Sequence, residues 1–267
     1  MNRHELKEPQ CAGLQPVLPP QKPHSGHPNN DHRSMINGMG WLNRTGAPWR
    51  DLPERYGKWS SVASRFYRWQ TAGVWQRILA ALQQHADQQG QLNWAIQSVD
   101  GTVIRAHQHA AGAAHSSAEP EALGRSQGGF SSKVHGRADG TGKPLTFLLT
   151  AGQRHESVVF EALMQSAVKR PARGQPKRRP KRLVADKAYG KRRIRAYLRR
   201  HGIRSTIPHK VNEHRSGPFS RCVYCTRNLV ERLINRLKQF RRVATRYQKR
   251  AANYLAMLSL AAITLGL

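Results

Sequence analysis

Apolar residues along the chain fall first at helical spacing and later in short runs of strand length, and the change lies near residue 90. Before it, Ile36, Met39 and Trp41 lead into a Gly-Ala-Pro-Trp turn. Val62, Phe66 and Trp69 then mark one helical stripe, and Val74, Ile78, Leu79 and Leu82 a second, with Gly73 between them. That pattern predicts a small all-helical domain over 32–89, with Ser60 placed to cap its middle helix. Residues 1–31 carry Pro9, Pro16, Pro19, Pro20, Pro23 and Pro28 and are expected to form an arm with little regular structure.

Past Gly90 the reading becomes one of strands. Residues 94–99 end at Asp100-Gly101-Thr102, and 130–137 and 145–150 are joined by the turn sequence Ala138-Asp139-Gly140-Thr141-Gly142. A helix is expected at 158–169, a strand at 182–185 ending at Asp186, a helix at 191–200, a strand at 203–207, and one or two long helices from Cys225 onward. The order βββαβαβα, with acidic residues ending two strands, predicts an α/β, RNase H-like catalytic domain over 90–267. The apolar run beginning at Tyr254 is shorter than the roughly 20 residues that span a bilayer. It predicts a buried helix and no membrane partner.

Charge narrows the function. Lys and Arg number 45 against 15 Asp and Glu, a formal net charge of +30, and the excess is spread along the chain. An extended polyanion, DNA or RNA, is the expected partner. With 38% apolar residues and six tryptophans, the chain can bury a core, which excludes a purely disordered basic protein. Arg44, Arg50, Arg65 and Arg68 of the helical domain are expected DNA contacts, as are Lys133, Arg178 and Arg179. The last two belong to a basic, proline-interrupted segment over 169–182 that suits phosphates better than a core. Three cysteines argue against a disulfide framework and for the cytoplasm. Glu5 and Glu8 stand where a signal peptide would need an apolar core.

Acidic residues are scarce, so those beside apolar strands stand out. Asp100 and Asp186 sit where a carboxylate would emerge at the carboxyl edge of a sheet, the edge at which α/β proteins bind ligands. The same positions also suit ordinary turn or helix-cap residues. Tyr224, Arg227, Glu231 and Lys238 fall within about 60° on one helix face, opposite Leu229, Val230, Leu233, Ile234, Leu237 and Phe240. Such a helix buries its apolar side and turns Glu231, flanked by two cations and a phenol, toward one site. An amphipathic helix with an Arg227–Glu231 pair gives the same pattern. His209, His214, Cys222 and Cys225 could bind zinc, in an order that reverses the usual finger, and His107, His109 and His115 follow Asp100 in an Ala/His-rich loop.

Together these motifs resemble the bacterial insertion-sequence transposases of the DDE class that carry a Tyr-x2-Arg-x3-Glu-x6-Lys signature. Tyr224, Arg227, Glu231 and Lys238 match it, with Asp100 in Asp-Gly-Thr and Asp186 in Ala-Asp-Lys-Ala-Tyr as the two aspartates. The stretch Arg44-Thr45-Gly46-Ala47-Pro48-Trp49-Arg50-Asp51-Leu52-Pro53, and residues 65–75, resemble that family's N-terminal domain. The resemblance implies that residues 32–89 bind the element's terminal inverted repeats while the rest of the chain cuts and joins strands. It implies Asp100, Asp186 and Glu231 as catalytic carboxylates holding two Mg²⁺ or Mn²⁺ ions. Arg227 and Lys238 would contact the DNA backbone or orient Glu231, and Tyr224 would position the attacking water or pack at the site. A homodimer in the cytoplasm, associated with the nucleoid, is expected. The alternatives are a catalytically defective copy acting as a DNA-binding repressor, and an RNase H-like repair nuclease.

Overall fold

The computed structural model describes residues 5–6, 8–21, 31–111, 121–166, 179–209 and 219–266. In chain order its helices are α1 (Glu8–Leu14), α2 (His32–Thr45), α3 (Trp59–Thr71), α4 (Val74–Gln88), α5 (Gln108–Ala111), α6 (Phe160–Gln165), α7 (Arg192–Arg200), α8 (Arg221–Cys225), α9 (Asn228–Lys238), α10 (Arg241–Ala244) and α11 (Ala251–Thr264). Its strands are β1 (Ile96–Ala106), β2 (Gly124–Ser126), β3 (Gly129–Asp139), β4 (Pro144–Ala151), β5 (Arg182–Val184), β6 (Arg204–Thr206) and β7 (Thr245–Arg246). They assemble as two units. Met1–Leu82, Ala106–Glu121 and Leu237–Leu267 form the first; Gln83–Arg105 and Ala122–Arg236 form the second. Each unit gathers separate stretches of chain, whereas the sequence pattern divides the chain serially at 31 and 89.

In the first unit, α2 opens where the Asp31 carboxylate accepts from Ser34 N at 2.7 Å, and it closes at Gly46, whose φ of 81° is left-handed. Met35, Ile36, Met39 and Leu42 are buried along one stripe of it. α3 begins at Trp59, one residue ahead of the expected cap at Ser60, and Lys58 at its N-cap makes no side-chain capping bond. Gly73, at φ 66°, separates α3 from α4. The aromatic rings form a continuous cluster: Phe66 lies 5.6 Å from both Trp49 and Trp75, and Trp69 lies 5.3 Å from Trp75.

Helix α11 is buried over nearly its whole length, as a helix apolar on all sides must be. It packs on α2, α3 and α10. Asn43 Nδ2 donates to the carbonyl of Met257 at 2.9 Å inside this contact. This burial draws the distant C-terminal stretch into the helical unit. The proline-rich arm departs from expectation for a related reason. Pro9 falls in the first turn of α1, where proline is tolerated, and Leu6 N donates to Asn37 Oδ1 at 2.9 Å while Leu14 is buried. The arm is thereby partly helical and fastened to α2.

The second unit is built on a mixed sheet in the order β4–β3–β1–β5–β6. β1 pairs antiparallel with β3 from Gln97↔Asp139 to Arg105↔Ser131, and parallel with β5 from Ile96↔Arg182 to Ser98↔Val184. β5 pairs parallel with β6. This is the expected RNase H-like arrangement. β2, whose Gly-Arg-Ser sequence carries no strand pattern, adds a short hairpin with β3. Val99, Leu183 and Ala185 of the sheet bury against Phe160, Leu163, Ile194, Tyr197 and Leu198 of α6 and α7. Arg137 is fully buried in β3. Its Nε donates to Gln97 Oε1 at 2.7 Å and its Nη1 to the carbonyls of Leu163 and Met164 at 3.1 and 3.0 Å. These bonds satisfy the last turn of α6, whose carbonyls have no partner within the helix. Burial lowers the Arg137 pKa to about 10, so it remains a cation at neutral pH.

Candidate active site

The parallel pairing of β1 with β5 brings two acidic residues together. Continuing the register by two residues past Ser98↔Val184 puts Asp100 level with Asp186, and the even step keeps both on one side of the strands. Asp186 lies two residues beyond β5 and caps a 3-10 turn over Lys187–Tyr189, accepting from Ala188 N at 2.9 Å. Asp100, expected at a strand end, instead lies in the middle of β1. The strand runs on because β3 stays paired with it as far as Arg105↔Ser131. Asp100 is therefore fixed by its pairing with Gly136 of β3, with ladder pairs before and after it, and its side chain is 13% exposed.

The signature segment is two helices, with a turn at Thr226 and Arg227 between them. Thr226 Oγ1 donates back to the carbonyl of Val223 at 2.7 Å, a local side-chain bond that competes with helix continuation. Tyr224 consequently belongs to α8, where its ring lies 5.3 Å from that of Phe219. Arg227 stands just ahead of α9 and bridges two acids. Its Nη1 lies 2.7 Å from Glu231 Oε1 and its Nη2 3.5 Å from Asp100 Oδ1. Glu231 is 42% exposed at its side chain, and Lys238 is exposed at the end of α9.

A third carboxylate near the two aspartates carried no sequence signal. Glu156 opens a 3-10 turn after β4, and that turn packs against the one that holds Asp186. A Cβ on Gly101 would come within 3.0 Å of Glu156 Cδ and Oε1, so the glycine of Asp-Gly-Thr leaves room for this carboxyl group. Lys133 Nζ lies 3.8 Å from Glu156 Oε1 and donates to the carbonyl of Arg154 at 2.9 Å. Burial, then the neighbouring Asp186 charge, push Glu156 up to about 7, with Lys133 opposing and Asp100 adding. Asp100 is also raised, chiefly by burial, against the pull of Arg227. Tyr189 is 1% exposed, its hydroxyl has no hydrogen-bond partner, and burial together with Glu156, Asp100 and Asp186 holds its pKa well above the usual phenol value.

Among the described residues, no three His, Cys, Asp or Glu side chains converge into a finished metal cage. The cluster nevertheless offers carboxylate oxygens, the donors that hard divalent cations take. One of them, Glu156 Oε2, is buried without a hydrogen-bond partner. The donor set suits such a cation. Cys222 and Cys225 are exposed free thiols, and His214, the remaining member with His209 of the zinc-capable group, lies outside the described residues, as does His115. The rings of His107 and His109 lie 4.5 Å apart, tilted at 59° to each other.

The basic residues divide. Arg50 and Arg68 of the helical unit and Arg179 of the sheet unit are exposed. Arg44 is partly buried over the Phe240 ring. Arg65 is a correction to the expected DNA contacts: it is 4% exposed, and its Nη1 lies 2.7 Å from His32 Nδ1. Its apolar neighbours on α3 turn that position inward. Lys133 is likewise committed, to Glu156 and Arg154. Arg178 lies outside the described residues.

Residues 95–265 match the family model described as "Transposase DDE domain", and residues 6–79 match a model described as a "transposase of IS4/5 family". Among curated proteins, "Uncharacterized protein y4sN" of Sinorhizobium fredii is 38% identical over 40% of this chain and 82% of its own. A protein of Burkholderia cepacia named as a "transposase for insertion sequence element IS402" is 34% identical over 48% of this chain and 59% of its own. Among solved structures, a piggyBac transposase synaptic complex with hairpin DNA aligns at a TM-score of 0.48 and 11% identity, over 94% of this chain and 69% of that one.

Proposed function

The chain belongs to the DDE transposase family, and we propose that Asp100, Asp186 and Glu231 are the carboxylates with which it cuts and joins DNA at the ends of an insertion sequence. The observation that carries this reading is the register of β1 and β5, which sets Asp100 level with Asp186, together with the Arg227 bridge from Asp100 to Glu231. Two Mg²⁺ or Mn²⁺ ions held by these oxygens would activate the attacking water or 3′-hydroxyl and stabilise the leaving oxygen. The protein's own part is placement. Ladder pairing fixes Asp100, the bond from Ala188 N orients Asp186, and Arg227 restrains the more exposed Glu231. Lys238 lies two helical turns beyond Glu231, about 10 Å along the axis, where an exposed ammonium meets a phosphate of the same strand. Tyr224, in α8 ahead of Arg227, is the residue that would position the attacking water or pack at the site.

Binding of the terminal inverted repeats falls to the helical unit, with Arg44, Arg50 and Arg68 as phosphate contacts, and Arg179 contributes from the sheet unit. Synapsis of two ends calls for a homodimer, and the nucleoid is the place of action. The test incubates purified protein with a labelled duplex carrying an element end and Mg²⁺ or Mn²⁺, beside Asp186→Ala. Metal-dependent nicking at the element boundary, lost in the variant, is the expected result. Equal binding without nicking by either protein would replace this reading with that of a DNA-binding repressor.

A further inference from the structure

We infer that Glu156 is a fourth carboxylate of the cation site, completing with Asp100 and Asp186 the buried oxygen cluster that takes up a divalent ion before DNA arrives. The inference rests on the reading of Asp100 and Asp186 as cation ligands and adds a residue outside the transposase signature. Two features of the carboxyl group point to it. The Glu156 carboxyl group lies over the backbone of Gly101, the residue after Asp100, so close that a Cβ there would stand 3.0 Å from Glu156 Cδ and Oε1. Its Oε2 is buried and has no hydrogen-bond partner, although its Oε1 faces Lys133 at 3.8 Å. A buried carboxyl oxygen in that state has given up water without gaining a hydrogen bond in exchange.

Tyr189 supplies a second, independent indication. It is 1% exposed, its hydroxyl is unpartnered, and that hydroxyl lies within electrostatic reach of Glu156, Asp100 and Asp186 together. A buried phenol that feels all three carboxylates has a hydroxyl available to donate to a ligand of the ion. A cation with its remaining water would satisfy both groups, the carboxylate as ligand and the phenol as donor to a ligand oxygen. Glu231 differs on each count. It is 42% exposed and its Oε1 is closely paired with Arg227 Nη1 at 2.7 Å.

The closing experiment titrates Mn²⁺ into the full-length protein without DNA and reads free Mn²⁺ by electron paramagnetic resonance. Wild type, Glu156→Gln and Asp186→Asn are compared, with the melting temperature of each measured without metal. Glu156→Gln should weaken Mn²⁺ binding by about tenfold or more, as Asp186→Asn does, and should melt at or above wild type because it removes a carboxyl group whose burial already opposes its ionisation. Wild-type affinity in Glu156→Gln alongside a loss in Asp186→Asn would overturn the role of Glu156 and leave the aspartates in place. Wild-type affinity in Asp186→Asn would overturn the reading beneath it as well. Should Glu156→Gln melt below wild type, Glu156→Asp decides: a retained carboxylate should restore part of the binding, and no recovery in a folded Glu156→Asp overturns the inference.

Discussion

His135 sits on β3 directly across from Gly101, and its protonation should set how the catalytic sheet responds to acid. The ring is fully buried, with Nε2 2.9 Å from Thr150 Oγ1 and Nδ1 unpaired. Burial, assisted by Lys133, lowers its pKa from 6.5 to about 4. Between those values the unfolded chain has taken up a proton that the folded chain refuses, so the unfolded state binds more protons and stability rises with pH. The contribution is whole above about pH 6.5 and is lost as pH falls toward 4. At about 1.4 kcal/mol per pH unit the loss reaches roughly 3 kcal/mol. His135→Gln keeps a polar group for Thr150 and does not titrate. Urea unfolding of the metal-free protein, followed by circular dichroism at half-unit steps from pH 4 to 8, gives the stability of each form. The difference between them should be constant above pH 7 and shift by roughly 3 kcal/mol in favour of the variant by pH 4. Parallel curves across the whole range would refute the argument, because they would mean that folding does not oppose protonation at this site.

Other outcomes follow from the same geometry. Gly101→Ala places a methyl group 3.0 Å from the Glu156 carboxyl and should push it aside, weakening Mn²⁺ binding about tenfold in a protein that still folds; unchanged affinity in the titration would count against Glu156. Arg68→Ala should weaken duplex binding evenly across sequences and reduce the salt slope of the affinity by about 1, read by fluorescence anisotropy at several salt concentrations. Phe160→Ala empties the fully buried contact between α6 and the sheet and should cost about 3–5 kcal/mol in urea unfolding at pH 7.

The sequence made the sheet legible because strands over 130–137 and 145–150 are bounded by turn residues, and both are present with their hairpin as β3 and β4. Asp100 and Asp186 were legible because an aspartate after an apolar run is conspicuous in a chain with 15 acidic residues. Three things were hidden. The extent of β1 depends on a partner strand, so nothing local to Asp100-Gly101-Thr102 announced that pairing continued to Arg105. The break at Thr226 rests on one hydroxyl bond that helical periodicity does not register. Glu156 stands in His155-Glu156-Ser157 with no apolar run before it, and only the fold brings it to Gly101. A useful sign was nevertheless present, since a glycine beside a buried acid reserves space for something.

The packing of α2 on α11 also governs the order in which the newly made protein gains its parts. Asn43 and Met257 are joined by a buried hydrogen bond across 214 positions of sequence. At about 5–20 residues per second, a ribosome that has finished α2 needs roughly 10–40 s more to finish α11. During that interval α2 and α3 lack the helix that packs on them. The residues that complete the sheet, from β1 through Glu231, are all made before α11, so the helical unit acquires its full core last. A nascent chain thus matures its helical unit, proposed above to bind the element ends, only at the end of synthesis, and a polypeptide halted after the sheet would carry Asp100, Asp186 and Glu231 beside an unfinished helical unit.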